Sequence, residues 1–202
     1  MNKKYDVVVL SPHLDDAVFS LGQHLIEWIE QGKKIKIINI FTKFGNIEID
    51  LEKYRKEKDK KVMDYLKVKW ENWNFTDGGF RLSDKKMLFG GKIIKEDDNL
   101  KKNIEKRLKK IKADLVLAPR GVGGHVDHIL VREMARKIMD SKIEYYIDLP
   151  YLWSNFGWYG KIKSFKLGSR RKNKLAREYG KEYEKVVRRW WKLFGEMIVD
   201  YS

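Results

Sequence analysis

Val7-Val8-Val9-Leu10-Ser11-Pro12-His13-Leu14-Asp15-Asp16 is the stretch that decides how this chain folds. Four consecutive apolar residues, mostly β-branched, make a strand buried on both faces. Pro12 has no amide proton to give the sheet ladder and biases its predecessor toward extended geometry, so the strand stops there. An imidazole and two carboxylates are thereby set at a strand-to-helix junction. The arrangement recurs more than a hundred residues later, where Leu115-Val116-Leu117-Ala118-Pro119 leads to Gly123-Gly124-His125-Val126-Asp127-His128. Three of the chain's four histidines and three aspartates fall in these two clusters.

Outward from these points, apolar runs alternate with stretches of helical period. Strands are expected at 5–10, 34–42, 70–75, 114–118, 143–149 and 161–167. Helices are expected at 16–31 (stopped by Gly32), 52–67, 98–111, 126–139 and 171–197. Residues 80–96 read as a loop with a short hairpin at Gly90-Gly91. The alternation predicts an α/β fold, a Rossmann-like three-layer αβα sandwich around a mostly parallel sheet. With no repeat or linker, residues 1–202 read as one domain. All three prolines, Pro12, Pro119 and Pro150, close apolar runs. Sites in open parallel sheets form beyond the carboxyl ends of the strands, so the two clusters can meet on one rim.

Their chemistry is that of a catalytic metal. His13 and Asp16, and likewise His125 and His128, are three residues apart and can each turn toward a common point. Gly121, Gly123 and Gly124 free the backbone before the second helix. A His, an Asp and a second His leave a fourth position for water, the open pattern of catalytic zinc. Imidazole with carboxylate also suits Fe(II), Co(II) or Mn(II). With His13, Asp16 and His128 as ligands, Asp15 is placed to take a proton from the activated water. His125 is placed to stabilise an oxyanion or protonate a leaving group. Asp127 is a candidate to fix the tautomer of a neighbouring imidazole.

Composition narrows the field. There is no cysteine, which excludes disulfides and thiolate zinc sites and agrees with a cytoplasmic location. No leader pattern and no apolar run near the ~20 residues of a membrane span is present. The formal charge of +15 is uneven: residues 161–192 hold 13 Lys/Arg against 3 Glu. Such a surface invites anionic partners, but no nucleic-acid motif accompanies it, and a solvated Lys/Glu surface is the plainer reading.

The motifs resemble those of the LmbE-like (PIG-L) N-deacetylase family. The family's Pro-His-Pro-Asp-Asp-Glu stands here as Pro12-His13-Leu14-Asp15-Asp16-Ala17, in the manner of a Ser-Pro-His-Leu-Asp-Asp-Ala branch. Its His-Pro-Asp-His stands as His125-Val126-Asp127-His128. Arg55 and Asp59, Tyr65-Leu66, Thr76-Asp77-Gly78-Gly79-Phe80-Arg81 and residues 174–179 resemble further family segments. Lys58 and Gly180-Lys181 depart from the pattern. The resemblance implies zinc on His13, Asp16 and His128, Asp15 as general base, His125 stabilising the transition state, and Arg55 and Asp77 on substrate hydroxyls. It implies hydrolysis of the acetamide of an N-acetylamino sugar, free or linked to a nucleotide or lipid. An amidase of another small N-acyl or thiol–sugar conjugate, and a basic binding protein with a vestigial site, are the alternatives.

Other residues carry weaker signals. Arg120, at the rim, could hold a substrate phosphate or carboxylate. Tyr151, Trp153, Phe156, Trp158 and Tyr159 could stack on sugar rings or pack a core. His24, inside the first helix, reads as structural. The last helix, with Tyr179, Tyr183, Val187, Trp190 and Phe194 opposite basic residues, packs on the sheet or rests peripherally on an anionic membrane. The oligomeric state, including a homo-oligomer, stays open.

Overall fold

The computed structural model describes residues 4–45, 48–91, 98–139, 142–149, 151, 161–181, 183–184 and 196–200. Strand β1 (Tyr5–Ser11) leads to helix α1 (Asp16–Glu30), β2 (Ile35–Lys43), α2 (Ile49–Leu66) and β3 (Lys69–Thr76). After a short helix α3 (Gly78–Arg81) and a 3-10 turn at Lys85–Phe89 come α4 (Asp98–Leu108), β4 (Ala113–Pro119), α5 (Val126–Met139) and β5 (Ile143–Tyr146). Strand β6 (Lys161–Lys166), α6 (Arg170–Arg177) and β7 (Glu196–Asp200) complete the described elements.

The sheet runs β3-β2-β1-β4-β5-β7-β6. The first five strands are parallel, and β7 pairs antiparallel with β5 and β6. Side chains alternate across β1 as the pleat requires. Val7 and Val9 enter a core with Val18, Leu21 and Leu25 of α1, Val62 of α2 and Leu175 of α6. Val8 and Leu10 enter the opposite core with Ile104 and Leu108 of α4 and Leu130 and Met134 of α5. These are the three layers the sequence predicts.

Two sequence expectations fail. No strand precedes the hairpin expected at Gly90-Gly91 among the described residues: Gly90 closes the 3-10 turn by donating to Met87 O, Gly91 donates to Gly124 O, and residues 92–97 lie outside the described residues. The long helix does not extend over 171–197. Its first part is α6, and Glu196–Asp200 is a strand inserted between β5 and β6. Tertiary pairing overrides the helical period there. Buried Glu196 accepts from the Gln23 and His24 amides of α1 (2.7 and 3.0 Å), pairs with Lys172 Nζ at 2.6 Å, and meets His24 Nδ1 at 2.7 Å. His24 thus has the structural place expected of it. Val187, Trp190 and Phe194 lie outside the described residues, as do Trp153, Phe156, Trp158 and Tyr159.

Candidate metal centre

Strand β1 lies between β2 and β4, with Val9 in register with Ile37 on one side and Leu117 on the other. The loops that follow β1 and β4 are therefore neighbours on one rim. Ser11 shapes the first loop: its hydroxyl donates to His13 O at 2.6 Å and accepts from the Ala17 amide at 3.1 Å. Asp15 occupies the N-cap position of α1 without capping through its side chain, so that carboxylate is turned elsewhere.

The two motifs converge. His13 Nδ1, Asp16 Oδ2 and His128 Nε2 form a triangle with sides of 3.1, 3.2 and 3.3 Å, and all three residues are buried. Ligand atoms on a tetrahedral ion with bonds of ~2.0–2.1 Å are about 3.3 Å apart, so the triangle has the size of one face of such a tetrahedron. The donor set fits a divalent cation. His13, His125 and His128 also bring ring nitrogens within 4.8 Å of one another. In His125, however, Nδ1 accepts the Asp127 amide at 3.2 Å, which leaves the proton of the neutral ring on Nε2. A protonated Nε2 is a donor, not a ligand.

Carboxylates hold both imidazoles of the triangle from behind. His13 Nε2 lies 3.1 Å from Asp127 Oδ2 and 3.4 Å from Asp77 Oδ2. Asp127 is itself fixed by the Gly78 amide at 2.7 Å and Arg81 at 2.9 Å. His128 Nδ1 meets Asp148 Oδ1 in a short hydrogen bond, and Asp148 Oδ2 accepts the Gly121 and Val122 amides at 2.7 and 3.0 Å. Such backing carboxylates fix ring orientation and raise ligand basicity. Asp148 was not expected from the sequence, although the apolar run ending at Pro150 marked it as a rim position.

Burial alone would lower the pKa of both rings, but the surrounding carboxylates reverse this. Asp77, Asp127 and Asp16 hold His13 well above its ordinary value, and Asp16 and Asp148 bring His128 to about 9. His125 goes the other way, to about 3, through burial beside the other two imidazoles. Asp127 is held at about 2, its burial outweighed by His13 and Arg81. Five carboxylates around three rings make the pocket attractive to a cation.

The remaining residues fall into place unevenly. Arg55 reaches Asp15 Oδ2 at 3.1 Å, so it enters the site beside the carboxylate expected to act as base. Asp77 caps α3 through the Gly79 amide at 2.7 Å while its other oxygen faces His13. Arg120 lies at the rim, its amide donating to Tyr146 O and its carbonyl accepting from Arg132. Tyr151 packs edge-on to His128 with ring centres 5.2 Å apart.

A 2'-N-acetylparomamine deacetylase from Streptomyces fradiae is 26% identical over 161 residues, covering 71% of this chain; the chain spans 57% of that relative's length. The crystal structure of a deacetylase–bog complex from the biosynthesis pathway of teicoplanin superposes with a TM-score of 0.70 at 20% identity, covering 97% of this chain and 96% of that one. N,N'-diacetylchitobiose deacetylase from Pyrococcus horikoshii superposes with a TM-score of 0.65 at 15% identity, covering 97% and 82%. At these identities the solved structures show a shared fold. The model of the PIG-L family, GlcNAc-PI de-N-acetylase, matches residues 8–139, from inside β1 to the end of α5 and through both motifs. The chain belongs to the PIG-L family.

Proposed function

We propose that this chain is a metal-dependent hydrolase that removes the acetyl group from an N-acetylamino sugar or sugar conjugate. The observation that carries the reading is the 3.1–3.3 Å triangle of His13, Asp16 and His128, with the His125 ring against both imidazoles. The names of the compared deacetylases, two of them of N-acetylated sugars, support it.

In this reading His13, Asp16 and His128 hold the ion, and zinc suits two imidazoles with one carboxylate, as do Fe(II), Co(II) and Mn(II). When bound, the ion supplies Lewis acidity, polarising the amide carbonyl and making a water acidic. Asp15 takes the proton of the attacking water. Arg55 holds that carboxylate in position through its 3.1 Å ion pair. The water oxygen bonds to the amide carbon, and the carbonyl electron pair moves onto oxygen. His125, with its proton on Nε2, donates a hydrogen bond to that oxyanion. The oxyanion re-forms the carbonyl as the C–N bond breaks, the departing amine receives the proton from Asp15, and the acetic acid formed gives its remaining proton to the amine or to solvent, leaving acetate and an ammonium group. Asp127 and Asp148 orient His13 and His128. Arg55, Asp77 and Arg120 line the approach for substrate hydroxyl or anionic groups. No helix among the described residues is long and apolar enough to cross a membrane.

The test is an amine-release assay over a panel of N-acetylated sugars, run beside metal analysis of wild type and Asp15→Asn. We expect wild type to release amine and the variant to keep its metal while losing about 10²–10⁴ in turnover, the usual worth of a general base. Full activity in Asp15→Asn, or no amine from any sugar, would contradict the reading.

A further inference from the structure

An exposed aromatic ring is held rigidly at the mouth of this site. Phe89 ends the 3-10 turn and is 53% exposed. Its ring is nonetheless fixed. It meets His125 at 5.1 Å and 84°, and Tyr151 at 5.9 Å and 56°. Tyr151 in turn contacts His125 at 6.0 Å and His128 at 5.2 Å. Two aromatic residues from separate segments thus form a continuous wall along the imidazole side of the centre.

The backbone under Phe89 is anchored as firmly. Gly91 donates to Gly124 O at 2.9 Å. A Cβ on Gly124, whose φ is +73°, would come within 3.2 Å of Phe89 O and 3.3 Å of Gly91, so only glycine allows this approach. Lys85 Nζ donates to Gly79 O and Leu82 O, tying the start of the turn to α3. The 3-10 turn is a brace between the Asp77 loop and the second motif, and Phe89 is what it presents.

Charged groups stand at the same centre: Arg55 on Asp15, Asp77 beside His13 and Arg81 on Asp127. A pyranose ring combines the same two kinds of surface. Its C–H groups give an apolar face that stacks on aromatic rings, and its hydroxyls need charged or bidentate partners. We propose that Phe89, backed by Tyr151, is the platform for the sugar ring that bears the scissile acetamide. It presents the ring's hydroxyls to Arg55 and Asp77 and the amide to His125. Phe89 is a specificity-determining residue: it selects a cyclic sugar over a small acyclic N-acetyl amine. The inference rests on the reading of the site as an N-deacetylase of amino sugars.

The experiment compares kcat/KM for N-acetylglucosamine and for N-acetylethanolamine, which has the acetamide but no ring, in wild type, Phe89→Ala and Phe89→Trp. We expect Phe89→Ala to lower the sugar-to-acyclic ratio on the order of tenfold, chiefly through KM for the sugar, while still binding one metal ion per chain. Phe89→Trp should restore the ratio. An unchanged ratio in Phe89→Ala, with an active wild type, overturns the platform and leaves the deacetylase reading standing. Equal losses on both substrates with loss of metal overturn it too, because Phe89 would then merely support the centre. A wild type inactive on every amino sugar removes the deacetylase reading and the platform together.

Discussion

Asp127 Oδ2 lies 3.1 Å from His13 Nε2, so the second motif orients an imidazole of the first from 114 residues away. With Nε2 donating to that carboxylate, Nδ1 is free to face Asp16 and His128. The two motifs are therefore one structural unit, and each is incomplete without the other.

Asp127→Asn tests this coupling. The amide retains the shape of the side chain but can offer a proton to His13 instead of accepting one. We expect metal affinity to fall about 10–100-fold, the usual cost of losing a backing carboxylate, as read by competition with a chromophoric chelator. Undiminished affinity would mean that the ring needs no such support.

Asp148→Asn should act similarly on His128, with an added effect on its own loop. Asp148 Oδ2 accepts two amides, of Gly121 and Val122, and one amide group cannot serve those and His128 equally. Metal affinity should drop by the same 10–100-fold, accompanied by a lower melting temperature of the metal-free protein. A drop in affinity with no thermal change would show that the loop is held by other contacts.

These two carboxylates mark the boundary of what the sequence reveals. Residues 7–16 and 115–128 carry local signals, proline ending an apolar run and His/Asp at helical spacing, and the convergence of His13, Asp16 and His128 follows from them. Asp148 has the proline signal at Pro150 but no histidine or second carboxylate at helical spacing, and its place against His128 arises only where the chain after β5 brings it there. The same distinction explains β7. Met197, Ile198 and Val199 are too few to outweigh the aromatic period of the preceding residues, and their strand exists because β5 and β6 flank it. Short braces such as α3 and the 3-10 turn have no room for a periodic pattern.

Glu196 and Lys172 offer a measure of how tightly β7 is bound to the rest. Both are fully buried, and Glu196 also serves the Gln23 and His24 amides. Glu196→Ala would leave an uncompensated buried ammonium and take from the His24 ring its Nδ1 partner. We expect a loss of about 3–5 kcal/mol in denaturant unfolding. A double variant, Lys172→Met with Glu196→Met, should recover part of that by removing both charges. Equal losses in the single and double variants would contradict a buried charge pair.

Asp59 gives the fold a pH dependence of definite sign. Burial pushes its carboxyl up to about 8 against the hydrogen bonds from Tyr179 and Asn39. Between about pH 4 and about pH 8 the folded chain keeps a proton here that the unfolded chain has lost. Its contribution to stability is thus full at low pH and declines as pH rises, by up to about 1.4 kcal/mol per pH unit. In Asp59→Asn this share of the slope should vanish, with the Tyr179 hydroxyl free to accept from the amide. Chemical unfolding of both proteins at pH 5 and pH 8 checks it, and parallel profiles would show that Asp59 ionises normally in the folded state.

The most direct measurement is calorimetric titration of metal-free protein with Zn(II), in wild type and in His13→Ala, Asp16→Ala, His128→Ala and His125→Ala. We expect one ion per chain in wild type, its binding abolished or weakened at least a hundredfold in the first three variants and retained in His125→Ala. Undisturbed binding in any of those three, or its loss only in His125→Ala, would show that the cation is held by a different set of atoms.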